Sequence, residues 1–190
     1  MQVNMSKQYI TRKGSFDSGH RVMNERMQCF NIHGHTFLYE LTFSFEQMEA
    51  LGYAIDFKEI KRIGVCWIED KIDHGVILNP HDSDVIKAAH ATQSKLWLMS
   101  LNGENNYCNP TVENIAKEIF LAMQVLFSER ANLKIHQLRL FETINCYTDC
   151  FAESISPLEK KNFLTAREKE LFEFAQEKGM FEYDDRKVVT

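Results

Sequence analysis

The most regular alternation in the chain runs from His35 to Phe45. Its odd positions read His35, Phe37, Tyr39, Leu41, Phe43 and Phe45, and its even positions Thr36, Leu38, Glu40, Thr42 and Ser44. A period of two sends the first row to one face of a strand and the second to the other, so one face is predicted to meet a core. Lys7 to Phe16, with Tyr9, Ile10 and Thr11, reads as a hairpin partner, the two joined by the polar loop Arg21 to Ile32. The period then changes. Phe57, Ile60, Ile63, Trp67 and Ile68 recur at helical spacing behind Asp56, which with Glu59 fits a reciprocal N-terminal capping box. A second helix is predicted from Pro110-Thr111, capped by Thr111 and carrying Val112, Ile115, Ile119, Met123 and Leu126 on its apolar stripe. Leu138 to Phe141 and Cys146 to Phe151 read as two further strands. The order β-β-α-α-β-β predicts an α+β domain with an antiparallel sheet.

Two segments lie outside that order. His81 to Asn109 is a long connection, read as helical around Val85 to Ala91 and again over Ser94 to Ser100. From Pro157 the chain is charge-rich, with Phe163, Leu164, Leu171, Phe172 and Phe174 marking an amphipathic helix, and Tyr183 to Thr190 reads as a frayed end. The division that follows is one domain over 1–156, interrupted by an insertion at about 81–109, and a C-terminal helical extension over 157–190.

Composition narrows the class without naming a function. A chain of 190 residues with 44% apolar and 26% charged residues is ordinary for a globular domain with a real core. The formal charge of −5 gives no reason to expect a nucleic-acid surface. MQVNMSKQYI has no apolar h-region, and no apolar run approaches the roughly 20 residues a spanning helix needs. Five cysteines, an odd number without an export signal, read as reduced thiols, so a cytoplasmic protein is expected.

The histidines carry the chemistry. His33 and His35, two apart at the start of a strand, project to one face, and their parity matches the apolar row. His20 stands where the preceding strand ends, which in a hairpin adjoins the start of the next. Three neutral imidazoles converging there suit Zn²⁺ and leave a fourth position for water or substrate. The bland alternative is a set of hydrogen-bonded core histidines. Cys29, four residues before His33, is open to several readings: a thiol activated by a nearby cation, a fourth zinc ligand, a buried thiol, or an exposed loop residue. Cys66 beside Trp67 reads as packing, and Cys146 and Cys150, spaced C-x3-C, as structural. Asp73-His74 pairs a carboxylate with an imidazole, although adjacent residues rarely bond each other directly. Glu142, on a core-forming strand, needs a partner; a guanidine-like ring edge with two parallel donors and a structural salt bridge are equal candidates.

Taken together, FDSGH (16–20), CFNIHGHTF (29–37), IDFKEIK (55–61), IDHGVILN (72–79), NPTVENIAKEIF (109–120) and LRLFET (138–143) resemble the 6-pyruvoyl/6-carboxytetrahydropterin synthase family, in its order and across roughly residues 7 to 151. The resemblance implies a tunnelling-fold (T-fold) subunit, a four-stranded antiparallel sheet with two helices on one face. It also implies assembly into a multi-subunit barrel, a hexamer built from trimers, with active sites between subunits. It assigns zinc to His20, His33 and His35, base catalysis to Cys29, acid/base partnership to Asp73 and His74, and the pterin edge to Glu142. Thr111 and Glu113 match its pterin-pocket segment. The implied substrate is 7,8-dihydroneopterin triphosphate, with no redox cofactor. Arg21 and Arg26, beside the site, are candidates for the phosphates, a solvated loop being the slightly favoured alternative.

The spacing C-x3-HGH resembles the branch that makes 6-carboxy-5,6,7,8-tetrahydropterin, with loss of acetaldehyde, for queuosine and other 7-deazaguanines. The branch making 6-pyruvoyltetrahydropterin has a longer gap, and a third branch replaces the cysteine with glutamate. Ser18-Gly19 stands where the family has two alanines, and IDH replaces LDH. Residues 81–109 and the chain beyond Pro157 exceed the compact bacterial form. An answer of a different class is a non-catalytic module in which Cys29 closes a structural His3Cys site.

Overall fold

The alternation from His35 belongs to a longer strand, β2 (His33–Phe45), in the computed structural model, which describes residues 7–23, 28–48, 52–102 and 108–179. Its odd row from Phe37 to Phe45 is buried. Beside it β1 (Gln8–His20) runs antiparallel, in register from Gln8 opposite Phe45 to His20 opposite His33. β1 outruns the predicted end at Phe16 because Asp17, Ser18 and Gly19 go on pairing with Thr36, His35 and Gly34; small and polar residues carry no hydrophobic signal there. β5 (Lys134–Thr143) pairs antiparallel with the other side of β2, and β6 (Cys146–Cys150) with β5.

Those are the four antiparallel strands expected, but the sheet has six. β3 (Gly75–Leu78) lies parallel to the last three residues of β1, and β4 (Leu96–Leu98) parallel to β3, giving the order β4-β3-β1-β2-β5-β6. β4 replaces the helix expected over Ser94 to Ser100. Trp97 is buried there, and the segment is tied to β3 by Val76 N–H donating to Lys95 O and Met99 N–H to Leu78 O. So short a segment has no period long enough to separate helix from strand.

The first helix comes in stretches: α1 (Phe57–Ile60), a π-type stretch Lys61–Val65, and α2 (Cys66–Lys71). Asp56 caps it by accepting from Lys58 N–H at 2.8 Å, but the reciprocal half of the expected box is missing. Glu59 instead holds Arg62 (2.6 Å) and Arg130 (3.4 Å), because charged donors outcompete a single amide. Gly64 permits close packing: a Cβ there would stand 2.9 Å from Met123 Sδ of α4 (Val112–Leu126). α4 is capped by Thr111, as predicted, and buries Ile115, Ile119, Met123 and Leu126. α3 (Ser83–Ala91) is the one helix of the insertion among the described residues.

The opposite face of the sheet mixes polar residues with exposed Tyr9, Leu38 and Tyr147. Thr11 bonds Thr42, Lys13 pairs with Glu40, and Arg139 makes two hydrogen bonds to Asp149 at 2.7 and 2.8 Å. Those bonds from Arg139 hold the Asp149 carboxyl below its ordinary value. Such a group stabilises the fold above its unfolded pKa, about 3.9, and loses that contribution as pH falls through the folded value. Asp149→Asn is therefore expected to cost about 1 kcal/mol at neutral pH. The urea midpoints of variant and parent should converge below about pH 4; a gap independent of pH would show that the pair does not act in this way.

The C-terminal helix α5 (Pro157–Glu177) begins with a full capping box between Ser156 and Glu159 and buries Phe163, Leu171 and Phe174. It lies against α4 and the insertion. Arg167 stacks 4.0 Å from the Trp97 ring and donates to Leu98 O, and Asn162 donates to Leu101 O and Asn102 O. From below, buried Glu118 of α4 accepts from Trp97 Nε1, Ser100 and Leu101. Burial pushes its carboxyl upward against those donors. The two segments that stood outside the predicted element order thus pack on each other. Tyr183 to Thr190 lies outside the described residues. Among those described, no helix is long and apolar enough to cross a membrane.

Candidate metal centre and active site

The hairpin sets the histidines. His20 and His33 are directly paired across β1 and β2, and His35 follows His33 on the same face. Between them Gly19 faces Gly34, and a Cβ on Gly34 would come within 3.2 Å of Ser18 O, so a side chain there would press on the neighbouring strand. One ligating nitrogen from each of the three rings lies within 4.8 Å of the others.

Their tautomers follow from their partners. His20 Nδ1 is 2.8 Å from Pro110 O, and His33 Nδ1 is 2.8 Å from Asn31 O. A carbonyl only accepts, so both Nδ1 atoms carry a proton, and a neutral ring so held presents its lone pair at Nε2. His20 is 1% exposed, and its Nε2 has no hydrogen-bond partner among the described residues. Burial lowers its pKa, opposed by the Pro110 bond, so the neutral ring is favoured. Glu142 Oε1 stands 3.6 Å from His20 Nε2 and 3.9 Å from His35 Nε2. A buried lone pair facing other imidazoles and a carboxylate is costly unless a cation lies among them. The donor set fits a divalent transition metal held by imidazoles.

Cys29 lies in a single 3-10 turn, Gln28–Phe30, half-buried, with its carbonyl accepting from Val22 N–H at 2.9 Å. It is not part of the metal-capable group. Arg21, a candidate for the phosphates with a solvated loop as the alternative, is largely buried: it bonds Phe30 O and Asp82 and stacks on the Phe30 ring. Arg26 lies outside the described residues.

Asp73 and His74 do bond each other, against the general tendency of neighbours, at 2.8 Å from Oδ2 to Nδ1. The reason is backbone: His74 adopts φ 56°, a left-handed conformation that costs a non-glycine residue about 1–3 kcal/mol. Asp73 Oδ1 accepts from Asp17 N–H, and His74 N–H donates to Asp17 O. Partial burial would raise the Asp73 carboxyl, but the bonds from Asp17 and His74 outweigh it and hold the group low. The His74 ring is 76% exposed. A cleft of about 390 Å³ is bordered by both His35 and His74. Thr111 caps α4 next to Pro110, and Glu113 is exposed in its first turn.

Sequence reasoning missed the supports. Asn109 Oδ1 accepts from Met23 N–H and from Asn79 Nδ2, and Asn109 Nδ2 donates to Met23 O, which fastens the chain after His20 to the start of α4. Both asparagines lie within quoted motifs, but a polar residue's burial leaves no mark in one sequence.

A half-covered sheet with three imidazoles gathered at the end of its central hairpin defines a candidate metal-dependent enzyme. Comparison is more particular. Residues 9–153 match the family model described as 6-pyruvoyl tetrahydropterin synthase, and the chain belongs to that family, whose members are pterin-processing lyases. A Rickettsia typhi protein named 6-carboxy-5,6,7,8-tetrahydropterin synthase is 35% identical over 144 residues, covering 73% of this chain and 96% of that protein. Its Rickettsia bellii counterpart is 30% identical over 141 residues, with the same coverage. Among solved structures, an uncharacterized Wolinella succinogenes protein aligns with TM-score 0.63 at 15% identity, covering 77% of this chain and 99% of that one. Caenorhabditis elegans 6-pyruvoyl tetrahydropterin synthase aligns with TM-score 0.54 at 17% identity, covering 78% and 97%. At those identities the structures speak to the fold alone.

Proposed function

We propose that this chain is a zinc-dependent 6-carboxy-5,6,7,8-tetrahydropterin synthase. It converts 7,8-dihydroneopterin triphosphate, with loss of triphosphate and acetaldehyde, in the cytoplasm and toward 7-deazaguanines such as queuosine. The observation that carries the metal-dependent part is the buried Nε2 of His20, unpartnered among the described residues and facing His33, His35 and Glu142. The carboxy product is supported by the C-x3-HGH spacing and by the names of the Rickettsia relatives.

His20, His33 and His35 hold the ion. When bound, zinc lowers the pKa of side-chain hydroxyls on the substrate and stabilises charge that develops during proton shifts. Cys29 takes a carbon-bound proton. His74 returns or relays one, with Asp73 fixing the Nδ1–H tautomer so that Nε2 faces outward. Glu142 accepts the paired donors of the pterin edge, and Thr111 and Glu113 flank it. The active assembly is a trimer-based homo-oligomer.

Incubating zinc-loaded protein with 7,8-dihydroneopterin triphosphate tests the reading, with products identified by mass spectrometry. 6-Carboxytetrahydropterin with acetaldehyde is expected. A Dictyostelium discoideum protein named 6-pyruvoyl tetrahydrobiopterin synthase, 28% identical over 75 residues, motivates the second reading, for which a pyruvoyl product would decide. No turnover by metal-loaded protein would overturn both.

A further inference from the structure

Cys29 sits in the connection between two metal-binding strands, and a single guanidinium fastens the residue that follows it. We propose that Arg21, locked to the buried carboxylate of Asp82, positions Cys29 for reaction, and that this is what the added segment 81–109 contributes to the site. The inference rests on the reading of Cys29 as the reacting thiol.

Arg21 leaves β1 directly after the ligand His20 and makes three contacts. Its Nε donates to Phe30 O at 2.9 Å, its Cζ lies 4.3 Å from the Phe30 ring centroid, and its Nη1 donates to Asp82 Oδ1 at 3.2 Å. Phe30 follows Cys29, and Val22, next after Arg21, donates to the Cys29 carbonyl. Cys29 is thus held through its own carbonyl and through the residue behind it. The Phe30 ring is 44% exposed, so burial does not fix it; the planar cation over its face does.

Asp82 explains why Arg21 does not swing away to solvent or to a phosphate. It is 4% exposed, and its Oδ2 has no hydrogen-bond partner among the described residues. Its backbone is fixed on both sides, N–H donating to Asn79 O and carbonyl accepting from Ile86 N–H at the start of α3. Withdrawing Arg21 would leave a buried carboxylate without its cation. Asn109 grips Met23, two residues further along, so the chain leaving the metal site is held at successive points.

The test uses the full chain. Arg21→Lys keeps the charge that Asp82 needs but loses the fork that reaches Phe30 and Asp82 together. Metal content, Tm, kcat, KM and the iodoacetamide alkylation rate of the Cys29 peptide are measured, the last relative to exposed Cys146 of the same molecule. Metal content and Tm are expected to stay near the parent's. Alkylation of Cys29 should rise by about threefold or more, and kcat should fall by about tenfold or more at little changed KM, the scale expected for a displaced reacting group. Asp82→Asn should move both in the same direction, and the double variant should be no worse than Arg21→Lys alone, because the two act as one unit. Unchanged alkylation or unchanged kcat would overturn the proposal, and a rise in KM alone would make Arg21 a substrate contact instead. If the parent itself shows no turnover, the proposed function falls, and the alkylation ratio alone decides whether Arg21 holds Cys29.

Discussion

Replacing His33 with alanine is expected to abolish metal binding while leaving the protein folded. His33 is half-buried at the mouth of the hairpin, and its backbone pairing with His20 does not depend on its ring. The core below it, from Phe37 to Phe45, is untouched. The ring's contribution is instead a fixed lone pair: Asn31 O accepts a hydrogen bond from Nδ1–H and so aims Nε2. Loss of an outer partner to a metal ligand costs about 10–100-fold in affinity, and loss of one of three ligands should cost more. Elemental analysis of purified, buffer-exchanged protein should fall from about one metal per parent chain to near none, with an unchanged far-ultraviolet spectrum. Full loading of His33→Ala would remove His33 from the ligand set. His20→Ala is a poorer probe, since it would also empty a buried site and leave Pro110 O without its donor.

Cys29→Ala is expected to do the reverse, keeping the metal and losing turnover. Neither metal-capable group, the three histidines or Asp17 with Asp73 and His74, includes Cys29, and the thiol lies in a short turn outside the core. Removing a general base typically costs about 10²–10⁴-fold in rate, and a loss of that order in kcat is the expected result, with metal content and Tm close to the parent's. The competing account, a closed structural His3Cys site, requires metal content and Tm to fall together in this variant. The two variants therefore separate the proposed roles, holding the ion and moving a proton.

Much of this was legible beforehand because it is local. The period-two row of β2, the helical stripe of α4 and the Thr111 cap depend on neighbours within a turn or a strand. So did the face shared by His33 and His35, and hairpin geometry alone brought His20 to them. Where local rules compete, the reading failed. Asp56 kept its half of the cap while Glu59 turned to Arg62 and Arg130, the latter contributed from 71 positions away. Leu96 to Leu98 became an edge strand because β3 offered backbone partners that no periodicity announces.

By itself the sequence determined the α+β order, the row of core residues and the three convergent imidazoles, since these follow from spacing along one chain, while the family was indicated by the resemblance of its motifs. Tertiary structure alone decided the rest. It tied Asp73 to His74 through a left-handed backbone, drew Glu142 up to the histidines, and left the Nε2 of His20 buried without a hydrogen-bond partner among the described residues. It also joined the insertion to the C-terminal helix through Trp97 and Arg167, and Arg21 to Asp82 across 61 positions. Each of these involves a buried or half-buried polar or charged group. Burial makes such a group find a partner, but the partner is whichever residue the fold brings within about 3 Å, and separation along the chain does not reveal it.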